Sequence, residues 1–339
     1  MKTLATLLTG ALILMSVTSQ AQGRVWRVNN QGYSAHFTGL NALQDAIDSE
    51  DVGPGDTLHL EASPSSYGFI TLNKRLVIIG PGYFLNENVI PTPLQHHMNS
   101  CWVNRFTFTN NSRGSTITGI SQVYGDVTGT GTIIDADSIT IDRCYLMYIT
   151  LNCTVTRHAI TIKRNFVLLG IDGAGTLVNL MLLNNRFSAI NLPATHQGTV
   201  AHNAIWDNGA NFHPSIDFHD NIVRAGTIVP NLNSISNVHH NIVHDSPMWL
   251  SGSTNHLNMP PASVFISTST TDGNLRTLPF CTVCNTGGTA GGAIGMFGGA
   301  TPYTASGIPG IPSIYELTTP ANATQGQDLP VTLSTRSNN

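Results

Sequence analysis

Six copies of one short phrase fix the architecture of this chain. They read IDRCYL, IKRNFV, LLNNRF, VAHNAI, FHDNIV and VHHNIV, and they fall between Ile141 and Val243. With Cys144, Asn165, Asn185, Asn203, Asn221 and Asn241 as the anchor column, the copies recur about every 20 residues. A strand-like phrase at that period marks a solenoid. Three residues before the anchor stand Ile141, Ile162, Leu182, Val200, Phe218 and Val238. Two residues after it stand Leu146, Val167, Phe187, Ile205, Val223 and Val243. Both columns are apolar in every copy, so the register is fixed twice.

The phrases are short, β-branched and alternating, which predicts strands and not helices. One such strand cannot bury its apolar face alone. Stacked coils can, because neighbouring strands lie about 4.8 Å apart and equivalent side chains line up. An inward Asn at a turn caps backbone groups and bonds to the Asn above and below it. The anchors are therefore expected to form a ladder that begins at Cys144.

At this point the chain resembles the right-handed parallel β-helix proteins, the pectin-lyase-like group. The likeness implies the handedness and a three-sheet cross-section; the spacing by itself implies a β-solenoid. A second likeness lies near the start. A helix with Leu40, Leu43, Ala46 and Ile47 on one face, capped by Thr38 or Asn41, is followed by Gly55-Asp56-Thr57-Leu58, Tyr67-Gly68 and Ile78-Ile79-Gly80. That order resembles the entry of many such β-helices, where the helix plugs the open first coil. A third lies near the end. Ile294-Gly295-Met296-Phe297, Pro302-Tyr303 and Ile311-Pro312-Ser313-Ile314-Tyr315 resemble the closing segment of secreted β-helix proteins of the Bacteroidota.

Four segments follow. Residues 1–21 read as a cleaved signal peptide, with Lys2, an apolar run and a small-x-small site at Ser19-Gln20-Ala21. Residues 22–54 hold a strand and the capping helix. Residues 55–271 hold the parallel β-helix, with Val264-Phe265-Ile266 as its last strand. Residues 272–339 form a Gly/Pro-rich end in which Ser313–Leu317 and Leu329–Thr335 pair as a small β appendage. The fold class is thus all-β: a right-handed single-stranded parallel β-helix with an N-terminal capping helix. The leader places the protein at the cell surface or outside the cell, and the apolar run is too short to span a membrane. Prolines, His96-His97 and Trp102 mark residues 81–104 as a loop excursion.

Only 10% of residues are charged, and no basic stripe exists, so no nucleic-acid partner is expected. Five cysteines remain: Cys101, Cys144, Cys153, Cys281 and Cys284. The CxxC at Cys281 lacks both the βαβ context of a redox motif and the second pair of a zinc site. A local disulfide, inert thiols and a pair between Cys144 and Cys153 all stay open.

Outward positions give two polar patches. The first holds Asp142, Arg143, Lys163 and Arg164. The second holds Asp217, His219, His239 and Asn237, with His202, Asp220 and His240 near the turn. The lyase likeness implies a Lys or Arg base, which Lys163 or Arg164 would supply, with Asp142 beside them. It also implies Ca²⁺ on several acids. A Ca²⁺ site wants six to eight oxygens, and Asp142 stands nearly alone, so no cofactor is expected. Glycoside hydrolases need two carboxylates about 5–9.5 Å apart, which no column supplies. His219, His239 and Asp217 have spacing compatible with a transition metal, and the plainer reading is solvated turn residues. Arg143, Asp217, His219 and His239 remain candidate binding residues. A non-enzymatic role follows, either glycan binding or a structural part of a surface or matrix. The alternative is a polysaccharide lyase or glycoside hydrolase acting on an acidic glycan. The sequence carries no signal for oligomeric state.

Overall fold

The computed structural model describes residues 23–88, 94–122, 131–192, 195–225, 228–230, 237–245, 254–266, 271–322 and 325–338. The expected leader lies outside them. The chain winds into a parallel β-solenoid of about eight turns. One sheet stacks Val25–Asn29, Thr57–Leu60, Val77–Ile79, Thr116–Thr118, Thr140–Asp142 and Thr161–Lys163. It continues through Leu177–Leu183, His196–Ala201, Ile216–His219 and Val238–His239. The register puts Ile141 on Ile162, Leu182 on Val200, and Phe218 on Val238. That is the register read from the phrases.

The likeness implied three sheets. Two hydrogen-bonded sheets form the coils, because the second bends without breaking. Tyr145–Asn152, Phe166–Ala174, Arg186–Leu192 and Ala204–Phe212 each run through a register shift, as between Leu146 and Tyr148. A bulge bends a strand while the ladder continues on both sides. The corner is thus a bulge within one sheet, and the coils are built from two sheets.

Both apolar columns are buried: Ile141, Ile162, Leu182, Val200 and Phe218 on one side, Leu146, Val167, Phe187, Ile205 and Val243 on the other. Between them runs the ladder. Asn165 Oδ1 accepts from the Cys144 amide at 2.8 Å. Asn185 Oδ1 accepts from the Asn165 amide and from its Nδ2, both at 2.9 Å. The same pair of bonds repeats from Asn185 to Asn203, from Asn203 to Asn221 and from Asn221 to Asn241. It then extends one rung further, from Asn241 to Asn255. That last rung escaped the periodicity because its step is 14 residues. Its phrase, Asn255-His256-Leu257, nevertheless keeps the apolar residue two after the anchor.

Three expectations change at the ends. The capping helix, α1, spans Ala42–Asp48 and buries Ala42, Leu43, Ala46 and Ile47 in the same core as Val28, Leu58 and Ile70. Leu40 precedes it and is 80% exposed, so it is not part of the buried face. Asn41 stands at the cap without a side-chain bond. Val264-Phe265-Ile266 is not a coil strand. His256–Leu257 is the last strand paired onto the second sheet, and Phe265 makes only an isolated antiparallel bridge to Thr277.

The largest addition concerns residues 271–312, which the sequence marked only as Gly/Pro-rich. They run as a strap along the outside of the second sheet. Ile222 and Ile242 pack against Val264, Phe265, Cys281, Cys284 and Ile294. Phe166 and Ala204 pack against Tyr83, Leu275, Met296 and Tyr303. Cys281 and Cys284 form a disulfide, and the thiols of Cys101, Cys144 and Cys153 are free and buried. Only after the strap does the expected antiparallel hairpin follow, Ser313–Thr318 with Thr332–Arg336.

His196 gives this fold a pH dependence. It is fully buried against Gly173, and neither ring nitrogen has a well-aligned hydrogen-bond partner. Burial holds its pKa below the ordinary imidazole value. Burial acts the same way on His59 and His202. A histidine with a lowered folded pKa is stabilising above its unfolded value near 6.5, and that stability is lost as pH falls. His219, whose pKa is raised, offsets part of the loss. Urea unfolding should therefore need less denaturant at pH 5.5 than at pH 7.5. His196→Gln should flatten that difference, and an unchanged slope would refute this account.

Candidate functional site

The residue just before each anchor is Arg143, Arg164, Asn184, His202, Asp220 or His240, and each has φ between 54° and 57°. Left-handed backbone turns the chain from one sheet to the next and aims these side chains outward. Asn, Asp and His tolerate that region better than most residues, whereas two arginines there are unusual. Four of the six are taken up by the strap. Arg143 Nη1 donates to the Ile308 carbonyl at 2.7 Å. Asn184 Nδ2 donates to the Met296 and Gly298 carbonyls at 3.0 and 2.7 Å. His202 lies under Gly299, where a Cβ would come within 2.8 Å of the ring. Asp220 accepts from the Thr289 amide at 2.8 Å, and its own carbonyl accepts from Gly295. From residues 289 and 295 at Asp220 to residue 308 at Arg143, the strap leads back toward earlier coils, crossing Asn184 and His202 between them. The turn column is a row of hooks that holds it.

This places the first patch. Arg143 is held by the strap, and burial pulls its pKa down. Asp142 binds Arg164 in a fork, Oδ1 to Nε at 2.8 Å and Oδ2 to Nη2 at 2.5 Å. Lys163 is the register neighbour of Asp142, yet Arg164 makes the pair, because the left-handed turn swings its longer side chain back. In the excursion, Tyr83 and Phe84 pack on Tyr145 and Phe166.

The second patch does come together. His239 Nε2 lies 3.1 Å from Asp217 Oδ1, and His219 Nε2 lies 3.8 Å from Asp217 Oδ2. His219 Nδ1 meets Asp220 Oδ2 at 2.9 Å, and His239 Nδ1 meets His240 Nδ1 at 2.9 Å. The His219 and His239 rings stack at 5.0 Å with 1° between their planes. Burial works to lower the pKa of His219, but the Asp220 hydrogen bond and the charges of Asp217 and Asp220 overcome it and raise the value. Asp220 is buried, which would raise its carboxyl; bonds from His219 and Thr289 win and lower it. Asn237 turns away to the Pro214 carbonyl. Among the described residues, no group of three or more His, Cys, Asp or Glu side chains is placed so that it could hold a metal ion.

A concavity lies elsewhere. A cleft of about 460 Å³ opens between the first coils, residues 95–97 and the C-terminal hairpin. The first coils and the excursion contribute the polar Asn29, His59, Glu61, Gln95, His96 and His97 beside Leu60, Ala62 and Pro81, and Tyr33, 70% exposed, joins the lining. The strap and the hairpin contribute the apolar Pro309, Ile311, Pro312, Ile314 and Leu317. The hairpin is fastened there by the His96 amide donating to the Ile314 carbonyl and by Ser313 Oγ donating to the Leu94 carbonyl at 3.3 Å. Among the described residues Glu61 is the only carboxylate in the lining, and it is bound by Arg27 Nε at 2.7 Å and Asn29 Nδ2 at 2.6 Å. Burial holds His59 below its ordinary pKa against the pull of Glu61, so it offers a neutral donor and acceptor at pH 7. No sequence period pointed to this site, since its walls come from residues 29–62, 95–97 and 309–338. The pair His96-His97 in the excursion was its single visible trace.

These features define a parallel β-solenoid with a strapped side and an end cleft. The chain matches no family model, no curated protein and no solved structure. No helix among the described residues is long and apolar enough to cross a membrane.

Proposed function

We propose that this is an exported β-solenoid that binds a saccharide without cleaving it, and that the end cleft holds the sugar. The observation that carries the reading is the lining itself. A sugar ring has an apolar C–H face and a rim of hydroxyls. The aliphatic wall of Ile311, Ile314 and Leu317 suits the face, and the imidazoles and amides opposite suit the rim. Hydrolysis calls for two carboxylates, whereas Glu61 is alone and already bound on both oxygens. The leader-like residues 1–21 and the Cys281–Cys284 disulfide both suit an oxidising compartment outside the cytoplasm.

The test is a panel of neutral and acidic glycans, followed by binding and by product release together. The expected result is retention of at least one glycan with no new chain ends. Tyr33→Ala, at an exposed position, should weaken retention at least tenfold with an unchanged melting temperature. Release of oligosaccharides, or no retention across the panel, would overturn the reading.

A further inference from the structure

Among the described residues the lining of the end cleft contains no Lys and no Arg, and it keeps one carboxylate, that of Glu61. Arg27 Nε donates to Glu61 Oε1 at 2.7 Å, and Asn29 Nδ2 donates to Oε2 at 2.6 Å. Arg27 itself stands outside the lining, with its side chain 54% exposed and its guanidinium turned onto Glu61. Arg336, at the foot of the hairpin, donates to the Leu94 carbonyl and lies over the Tyr315 ring, also outside the lining. The other polar groups are neutral donors and acceptors. Burial keeps His59 below the ordinary imidazole pKa. His97 Nδ1 accepts from the Asn99 amide, which leaves Nε2 as the donor of the neutral ring. Gln95 Nε2 donates to the Pro81 carbonyl, which leaves its Oε1 as an acceptor. A sugar hydroxyl therefore finds partners of both kinds. A uronate or sulfate group gives up its water here, meets no cation, and comes to lie beside a like charge.

We propose that the end cleft selects uncharged saccharides over acidic ones, and that Glu61 sets the discrimination; the inference rests on the reading of the cleft as a saccharide site. Desolvating a charge with no opposite partner is costly, and a like charge nearby adds to the cost. A neutral sugar pays neither penalty. A site gains specificity as much from what it repels as from what it attracts. Arg27 has two effects in this arrangement. It fixes the Glu61 carboxylate in the lining, and it is itself taken up, so that no guanidinium is left to form a fork with an incoming carboxylate.

The experiment pairs polygalacturonate, alginate and hyaluronan each with its own carboxyl-reduced form, and measures retention of the full chain by affinity electrophoresis at pH 7.5. The two members of a pair share linkage and length and differ in charge. In every pair that is retained, the neutral member should bind about tenfold tighter than the acidic one. Glu61→Gln keeps the side-chain volume, removes the charge and releases Arg27, so it should raise acidic retention relative to neutral by about fivefold. Arg27→Gln, at an exposed side chain, leaves Glu61 without its cation and should widen the gap instead. The two substitutions thus move the ratio in opposite directions, which a general loss of structure would not do. Equal or tighter retention of the acidic members, or a ratio that neither substitution moves, would overturn the selectivity and leave the saccharide reading standing. Retention of no member, acidic or neutral, would overturn both.

Discussion

Asn203→Ala is expected to lower the unfolding free energy by about 3–5 kcal/mol, among the largest single losses this chain can show. Asn203 sits in the middle of the ladder and is fully buried. Its Oδ1 accepts from the Asn185 amide at 2.9 Å and from Asn185 Nδ2 at 3.0 Å. Its Nδ2 donates to the Leu182 and Ala201 carbonyls and to Asn221 Oδ1. Truncation strands several buried polar groups at once, and each stranded group costs about 1–3 kcal/mol. Asn203→Leu keeps the volume but restores no partner, so it should not rescue. Asn211, in contrast, joins Asn191 on an outer face at 3.1 Å where water competes. Asn191→Ala should cost well under about 1 kcal/mol. Equal urea midpoints for Asn203→Ala and Asn191→Ala would show that the ladder is not a stabilising element.

Phe218→Ala should cost about 3–5 kcal/mol, by cavity formation instead of lost hydrogen bonds. Phe218 is fully buried, stacks on Phe212 at 4.7 Å with 7° between the rings, and lies in register with Val200 and Val238. The hole is bounded by backbone that the ladder holds rigid, so the site cannot collapse. Thr199, in register with Asp217 on the outward column, sits one coil earlier. Thr199→Ala should change stability by under about 1 kcal/mol. Similar melting shifts for Phe218→Ala and Thr199→Ala would mean that inside and outside have been exchanged.

The two patches show where legibility stopped. Which residues share a column was readable, because a strand period of two and a coil period near 20 together fix position on the solenoid. The partner of each outward side chain was not readable. Asp142 pairs with Arg164 and not Lys163 because the turn at Arg164 has φ of 56°, and no pattern of residue types reveals that angle. Arg143, Asn184 and Asp220 hold a strap more than 65 residues away in the chain. The candidacy of Arg143 and Asp220 as surface residues came from counting neighbours along the coil only. The second patch was nearer to legible, since His219, His239 and Asp217 lie on one face whatever covers the turn.

The amino-acid sequence by itself determined the solenoid, its two core columns, its asparagine ladder and the plugging helix. All four are repetitive or local, and each copy of the phrase states the same burial requirement again. Only the tertiary structure decided that residues 271–312 lie as a strap, that Asn255 closes the ladder, and that a cleft forms where the hairpin returns to the first coils. Those depend on single contacts between distant, unrepeated segments. The strap's apolar residues, Ile294 and Met296 among them, carry no period that names their partners. A glycine-rich chain can lie against many surfaces, and the hooks of the turn column selected this one.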